Sequence, residues 1–309
     1  MLRSALLAAS RSTRFRKTIE GARPLQPVIA RFVAGVDTGD ALQRTADLLA
    51  AELSVTLDYL GEETRDVAQV ERTVAVYERL LAAFGDCGFG RLAEVSVKLS
   101  AVGQSLGVDG NKRALEAAHR ICVAAQAAGT TVTLDMEDHT TTDATLEVLR
   151  ALRVDFPWVG VALQAYLHRT EGDCRDLVGA GSRVRLCKGA YAEPASVAYR
   201  RKAEVDRSYI RCLRVLMAGN GYPMVATHDP RIVAVADVFG EEFARLPVDH
   251  EFQMLYGVRT REQQRIAERG NVMRVYVPFG DDWYGYFMRR LAERPANLLF
   301  FARALVKGR

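Results

Sequence analysis

The sequence predicts an α/β fold of the (βα)8 type, a TIM-like barrel of parallel strands. From about residue 53 onward, short β-branched runs alternate with longer amphipathic stretches, and the pattern repeats eight times. The strand–helix period of about 30 residues fills the chain, as a closed barrel requires. No closing hairpin interrupts the alternation, so the competing architecture is a doubly wound open sheet. A chain of 309 residues exceeds a typical domain of roughly 100 to 200, yet such barrels commonly use about 250 around one core. The expected division is an N-terminal helical segment over 1–50 and a barrel over 51–309.

In chain order, strands are expected near Val55 and at 95–99, 132–135, 159–163, 184–187, 224–227, 251–255 and 273–277. Helices are expected over 64–84, 111–128, 143–153, 194–219 and 260–269, with Gly129, Gly219 and Gly270 placed as C-terminal stops. Before the first strand, Arg3, Arg11, Arg14, Arg16 and Lys17 precede the first acid, Glu20, while Leu2, Ala5, Leu6 and Ala9 recur at helical spacing. That pattern fits a transit peptide and also a basic amphipathic helix docked on its own domain; the docked helix is the expectation adopted.

Composition narrows the function classes. With 49% hydrophobic and 26% charged residues the chain is neither disordered nor a coiled coil. Forty-two basic against 38 acidic residues, spread along the chain, give +4 and no arginine-rich arm, so no nucleic-acid partner is expected. Five cysteines stand singly (Cys87, Cys122, Cys174, Cys187, Cys212), which suits reduced thiols in a cytoplasmic protein. No apolar run is long enough to span a bilayer, although attachment to the inner face of the cell membrane stays open. His119, His139, His168 and His250 show no metal-ligand spacing, so no metal is expected.

Strand parity carries the chemistry. Ser96, Lys98 and Ser100 lie opposite Val95, Val97 and Leu99; Thr133, Asp135 and Glu137 oppose Val132, Leu134 and Met136; Gln164 and Arg185 take the same place on the next two strands. Polar groups at strand ends predict a polar mouth, where barrel active sites sit. Lys98 could pair with a substrate carboxylate or simply neutralise Asp135. Asp135 and Glu137 could form an acid–base pair or a buried charge network. Cys187 reads as a packing residue rather than a nucleophile. Thr227 and His228 could hold a nucleotide or cap a loop. Tyr286, Arg289, Arg290 and Glu293 share one face of a final helix, and two guanidinium forks beside tyrosines suit a carboxylate, with a solvated basic turn as the alternative.

Seven ordered motifs then resemble the proline dehydrogenase family: Val-Ser-Val-Lys-Leu-Ser (95–100), Leu-Asp-Met-Glu (134–137), Leu-Gln-Ala-Tyr (163–166), Arg-Leu-Cys-Lys-Gly-Ala-Tyr (185–191), Ala-Thr-His-Asp (226–229), Glu-Phe-Gln-Met-Leu (251–255) and the block 276–293. The resemblance runs from about Leu57 to Asn297 and fits the short bacterial single-function form. It implies a distorted barrel carrying FAD, with N-terminal helices and a final helix over the mouth. It also implies oxidation of L-proline to 1-pyrroline-5-carboxylate, with electrons passed to a membrane quinone.

By the same resemblance, Asp135 and Arg185 are catalytic. Lys98, Arg289 and Arg290 hold the substrate carboxylate, Tyr191, Tyr276 and Tyr286 pack around the ring, and Leu255 offers an apolar wall. Met136, Gln164, Arg185, Lys188, Gly189, Ala190, Thr227 and His228 match FAD-binding positions. Glu62 matches an acid that pairs with Arg289 to close the site. The sequence departs from the family at Cys187, where an aliphatic residue is common, and at Asp229, where asparagine is frequent. Two rivals remain at this stage. One is a Schiff-base lyase using Lys98 or Lys188, and the other a carboxylate-binding barrel without catalysis. The electron acceptor, oligomeric state and strength of membrane contact are left open by the sequence.

Overall fold

A computed structural model describes residues 26–61 and 64–293, with side chains to Arg290. Eight parallel strands close into a barrel in simple sequence order: β1 (Ser54–Tyr59), β2 (Ala93–Lys98), β3 (Val132–Asp135), β4 (Gly160–Gln164), β5 (Arg183–Cys187), β6 (Tyr222–Ala226), β7 (Glu251–Leu255) and β8 (Val272–Phe279). Closure is direct, because β8 pairs with β1 from Ser54↔Arg274 to Tyr59↔Phe279. The open-sheet alternative is thereby excluded, and each expected strand is present.

Among the described residues, two helices precede the barrel, the short α1 (Gln26–Ile29) and α2 (Thr38–Ala50). The connecting helices are α3 (Val67–Cys87), α4 (Gly110–Ala127), α5 (Thr142–Asp155), α6 (Thr170–Asp176), α7 (Lys202–Ala218), α8 (Pro230–Glu242) and α9 (Thr260–Glu268), and α10 (Trp283–Glu293) follows β8. Asp66 and Gly88 set the ends of α3, the first by accepting from the Gln69 amide and the second in the left-handed conformation. The expected helix over 194–219 begins only at Lys202. Ahead of it, the amides of His168 and Tyr199 donate to the carbonyls of Val197 and Tyr166, so this stretch pairs with the chain leaving β4 instead of coiling. Gly129 and Gly270 end their helices with positive φ. Gly219 instead ends α7 extended, at a point where a Cβ would lie 2.5 Å from that of Val178.

The ring of helices is irregular at one place. Helix α2 packs on β1, β8 and α3, and the Gln264 side chain of α9 reaches the carbonyl of Ala51 just after it. It therefore fills the outer position that a helix following β8 would ordinarily take. That leaves α10 to pack elsewhere: Trp283, Phe287 and Met288 bury against Val28, Phe32, Val33 and Leu60, a cluster separate from the main core. Leu60 directly follows β1, and α10 starts across the turn 280–282, so both lie at the C-terminal end of the barrel.

Alternation within the strands divides the barrel into two environments. Val55, Leu57, Val95, Val97, Leu134, Val161, Leu186, Val275 and Val277 are fully or almost fully buried in the main apolar core. Residues of the opposite parity meet across the lumen. Arg185 on β5 bonds to Ser96 and Asp135 (each 2.7 Å) and to Gln253 on β7 (2.6 Å), contacts between non-neighbouring strands that only an inward-facing set can make. Where arginines fill the lumen, β4 carries Gly160. A Cβ there would lie 2.9 Å from Thr133 Oγ1 and 3.3 Å from the Arg183 Cβ.

Candidate active site

The inward set forms two layers. At the floor, Glu94 accepts from Thr56 (2.8 Å), Thr131 (2.8 Å) and Arg183 (2.7 Å), and Glu251 accepts from Arg274 (2.9 Å) and Tyr222 (3.2 Å). Arg274 also donates to the carbonyls of Val55, Leu92 and Arg91, which ties β8 to both ends of the first strand–helix unit. Sequence reading placed polarity only at the mouth; the structure extends it through the lumen to this floor. Burial opposes ionisation of Glu94, but the guanidiniums of Arg274, Arg183 and Arg185 outweigh it and hold the carboxyl down at about 2.

Above the floor lies a second cluster. Asp135 Oδ1 accepts from Arg185 and Ser96, each at 2.7 Å, and Oδ2 accepts from the Tyr276 hydroxyl at 2.6 Å. Lys98 Nζ lies 3.4 Å from Asp135 Oδ2 and 3.4 Å from the Tyr276 oxygen, and donates to Asp58 Oδ2 at 2.7 Å. The Arg185 guanidinium stands 5.3 Å from the Tyr276 ring centre. Burial raises the carboxyl of Asp135, yet Lys98 and Arg185 together keep it below the ordinary carboxylate range. Asp58 goes the other way: burial raises it, Lys98 offsets only part, and the charge of Asp135 adds to the rise. Across both layers, Lys98, Arg183, Arg185 and Arg274 balance Asp58, Glu94, Asp135 and Glu251 in formal charge.

Four residues expected from sequence, Lys98, Asp135, Arg185 and Tyr276, thus form one cluster joined through Asp135 and Tyr276. Leu255 pairs in register with Tyr276, and its amide donates to His228 Nε2 (3.0 Å). Met136, Gln164 and Thr227 are buried at the ends of β3, β4 and β6, and Gln164 donates to the carbonyl of Glu137 (2.6 Å). After β5, Gly189 has φ +112° and no room for a side chain, since a Cβ would lie 2.3 Å from the Tyr166 ring. Ala190 and the exposed Tyr191 follow on the same loop. Lys188 is gripped by Asp206 (2.5 Å) and Asp229 (3.1 Å). Tyr286 is buried on α10, Arg290 lies over its ring at 5.1 Å, and Arg289 is half-buried beside them. Glu62 lies outside the described residues, as do the N-terminal basic segment and the Glu293 side chain.

Other expectations resolve differently. Glu137 accepts from the Ser100 amide (3.0 Å) and hydroxyl (2.6 Å), fastening the turn after β2. Desolvation pushes the Cys187 thiol up to about 11, in keeping with a packing role. No group of residues able to hold a metal ion occurs among the described residues. Asp58, Glu94, Glu251, Gln253 and Arg274 were not singled out from the sequence. Their signal was the same alternation: Asp58, Glu94, Gln253 and Arg274 stand between largely apolar neighbours, and Glu251 precedes Phe252.

A sequence profile of the proline dehydrogenase family matches residues 41–303. The chain belongs to the proline dehydrogenase family. It is 41% identical over 288 residues to a proline dehydrogenase of Deinococcus radiodurans, covering 90% of each chain. To proline dehydrogenase 1 of Bacillus subtilis it is 35% identical over 313 residues, covering 99% of this chain and all of the relative. Among solved structures, proline utilization A from Bdellovibrio bacteriovorus, inactivated by N-propargylglycine, superposes with a TM-score of 0.81 at 24% identity over 87% of this chain. The chain spans about a third of that protein's length, with 33% of it covered, and the likeness shows the shared barrel. Membership of the proline dehydrogenase family implies a flavoenzyme. No helix among the described residues is long and apolar enough to cross a membrane.

Proposed function

We propose that this chain oxidises L-proline to 1-pyrroline-5-carboxylate with FAD as its cofactor and passes the electrons to a membrane quinone. The observation that carries the reading is the Lys98–Asp135–Arg185–Tyr276 cluster, a set of charges placed where β2, β3, β5 and β8 converge. The residues fit a flavin dinucleotide by the chemistry of their donors. Cationic Arg185 and Lys188, the amide of Gln164, the Thr227 hydroxyl and the His228 imidazole follow one another around successive strand ends, next to apolar Met136, and the loop at Gly189 and Ala190 carries little side chain. When bound, FAD would supply the acceptor for the hydride and the two electrons it carries.

The chain's own residues hold and orient. Lys98, Arg289 and Arg290 neutralise the proline carboxylate, with the guanidinium forks giving paired hydrogen bonds. Tyr191, Tyr276, Tyr286 and Leu255 shape the walls around the ring. Asp135 fixes Arg185 from one side and Gln253 from the other, so that a positive charge is held without reorganisation where negative charge develops during reduction. Glu62 is assigned as the partner of Arg289 that closes the site. The lyase alternative fits poorly. A nucleophilic lysine needs a desolvated or cation-flanked amine, whereas Lys98 and Lys188 are each engaged by two carboxylates. We assign the protein to the cytoplasm, with peripheral contact at the inner face of the cell membrane near the quinone pool.

Anaerobic titration of the purified, FAD-loaded protein with L-proline tests this directly. The visible flavin bands should bleach stoichiometrically and return on adding a quinone. A spectrum that proline leaves unchanged would refute the assignment.

A further inference from the structure

We propose that Asp58 takes up a proton when a carboxylate docks on Lys98, so that a new anion can enter a lumen whose buried charges already balance. The inference rests on the reading of this site as the proline site, and it gives a role to a residue outside the set drawn from sequence. Lys98 Nζ already serves Asp58 Oδ2 at 2.7 Å and Asp135 Oδ2 at 3.4 Å. A docked carboxylate adds a further anion beside Asp58 and Asp135 around one ammonium, and unless a resident is neutralised the like charges oppose binding.

The two residents are not equivalent. Asp135 receives hydrogen bonds on both oxygens, from Arg185 and Ser96 on Oδ1 and from Tyr276 on Oδ2. Asp58 is 1% exposed, and its Oδ1 is buried with no hydrogen-bond partner. An ionised oxygen without a donor is costly in a dry interior, whereas a protonated Oδ1 leaves Oδ2 free to keep its bond from Lys98. The charged and titratable groups facing Asp58 are Lys98 from β2, Asp135 from β3, Tyr276 from β8 and Tyr77 from α3. Of these, Lys98 favours its ionised form by charge and Tyr276 by hydrogen bonding, while Asp135 opposes it by like charge. The proton comes from solvent and adds to the Asp58 carboxylate; Lys98 stays an ammonium, and no other bond changes. Arg289 and Arg290 on α10 are the competing source of compensation, and if they neutralise the ligand fully no proton is needed.

Calorimetry of the FAD-loaded protein with cyclopentanecarboxylate, a ring acid with no nitrogen to titrate, separates these cases when run in two buffers of different ionisation enthalpy. Across neutral pH the protein should take up protons on binding, up to one per ligand, and Kd should rise with pH by up to tenfold per unit, roughly the limit for one linked proton. Asp58→Asn should retain its flavin spectrum, take up none and bind with a flat pH profile; Asp58→Glu should restore the uptake. No uptake by the parent protein, or equal uptake by Asp58→Asn, overturns the proposal while leaving proline-dependent bleaching intact. Failure of the acid to bind while proline still bleaches the flavin also counts against it, since a site built on docking a carboxylate should accept the ring acid. Loss of both binding and bleaching in the parent protein instead brings down the assignment of the site.

Discussion

The floor and the mouth of the barrel are both built from buried charge, yet they are built to different degrees of completeness. At the floor, Glu94 is surrounded by three threonine hydroxyls and arginines, and Arg274 spends its donors on Glu251 and three backbone carbonyls. At the mouth, Lys98 is shared between two carboxylates, one of which has an oxygen with no partner. The carboxyls respond in opposite directions, Glu94 held low and Asp58 raised. The contrast lies in the carboxylates: both oxygens of Glu94 and of Glu251 accept hydrogen bonds, even though Arg183 Nε beside them is buried without a partner, whereas a carboxylate short of a donor, such as Asp58, can respond to what arrives.

Breaking the floor should have the larger effect on folding. Arg274→Met strands Glu251 and removes one of the cations around Glu94, and breaking a buried pair in this way costs about 3–5 kcal/mol. Urea or thermal unfolding of the apoprotein should show a loss of that size. A variant as stable as its parent would mean that the floor contributes little and that the contrast with the mouth is false.

Breaking the mouth should act on chemistry more than on folding. Lys98→Met leaves Asp58 and Asp135 without their shared ammonium, but Asp58 can take a proton and Asp135 keeps Arg185, Ser96 and Tyr276. The protein should stay yellow and lose proline-dependent flavin reduction by roughly 10²–10³-fold, the scale seen when one preorganised electrostatic group is removed. Stopped-flow reduction measured alongside the unfolding midpoint separates the two consequences. A midpoint that falls as far as in Arg274→Met would place Lys98 with the floor.

How much of this contrast was legible depends on whether a residue's meaning is local. Alternation along single strands exposed Lys98, Asp135 and Arg185, because a cation or carboxylate between valines and leucines is conspicuous in any strand. Asp58 and Arg274 carry the same signal, but β1 and β8 acquire their partners only when the barrel closes, and no local pattern tells which charge each will meet. The limits of α7 were misread because 194–201 pairs with the chain after β4, a tertiary contact that overrides helical composition. The place of α10 was legible through the family resemblance that the motifs carry. That α2 takes the vacated outer position follows from packing, and periodicity does not encode it.

Acid stability offers the finest test of the comparison, because the two carboxyls should pull in opposite senses. Glu94 is depressed in the folded state to about 2, so its contribution is complete above the ordinary glutamate range and drains away as pH falls from about 4.5 toward about 2. Asp58 is raised in the folded state, so the folded protein binds its proton more readily than the unfolded chain, and stability from this group increases as pH falls through the weakly acidic range. Glu94→Gln should therefore flatten the loss of stability at low pH, while Asp58→Asn should steepen the net loss between neutral and weakly acidic pH by removing a gain that partly conceals it. Unfolding free energies across that range, measured for each variant against the parent, should diverge in opposite directions. Parallel curves would mean that the two carboxyls share one electrostatic environment, and that the floor and the mouth are a single network.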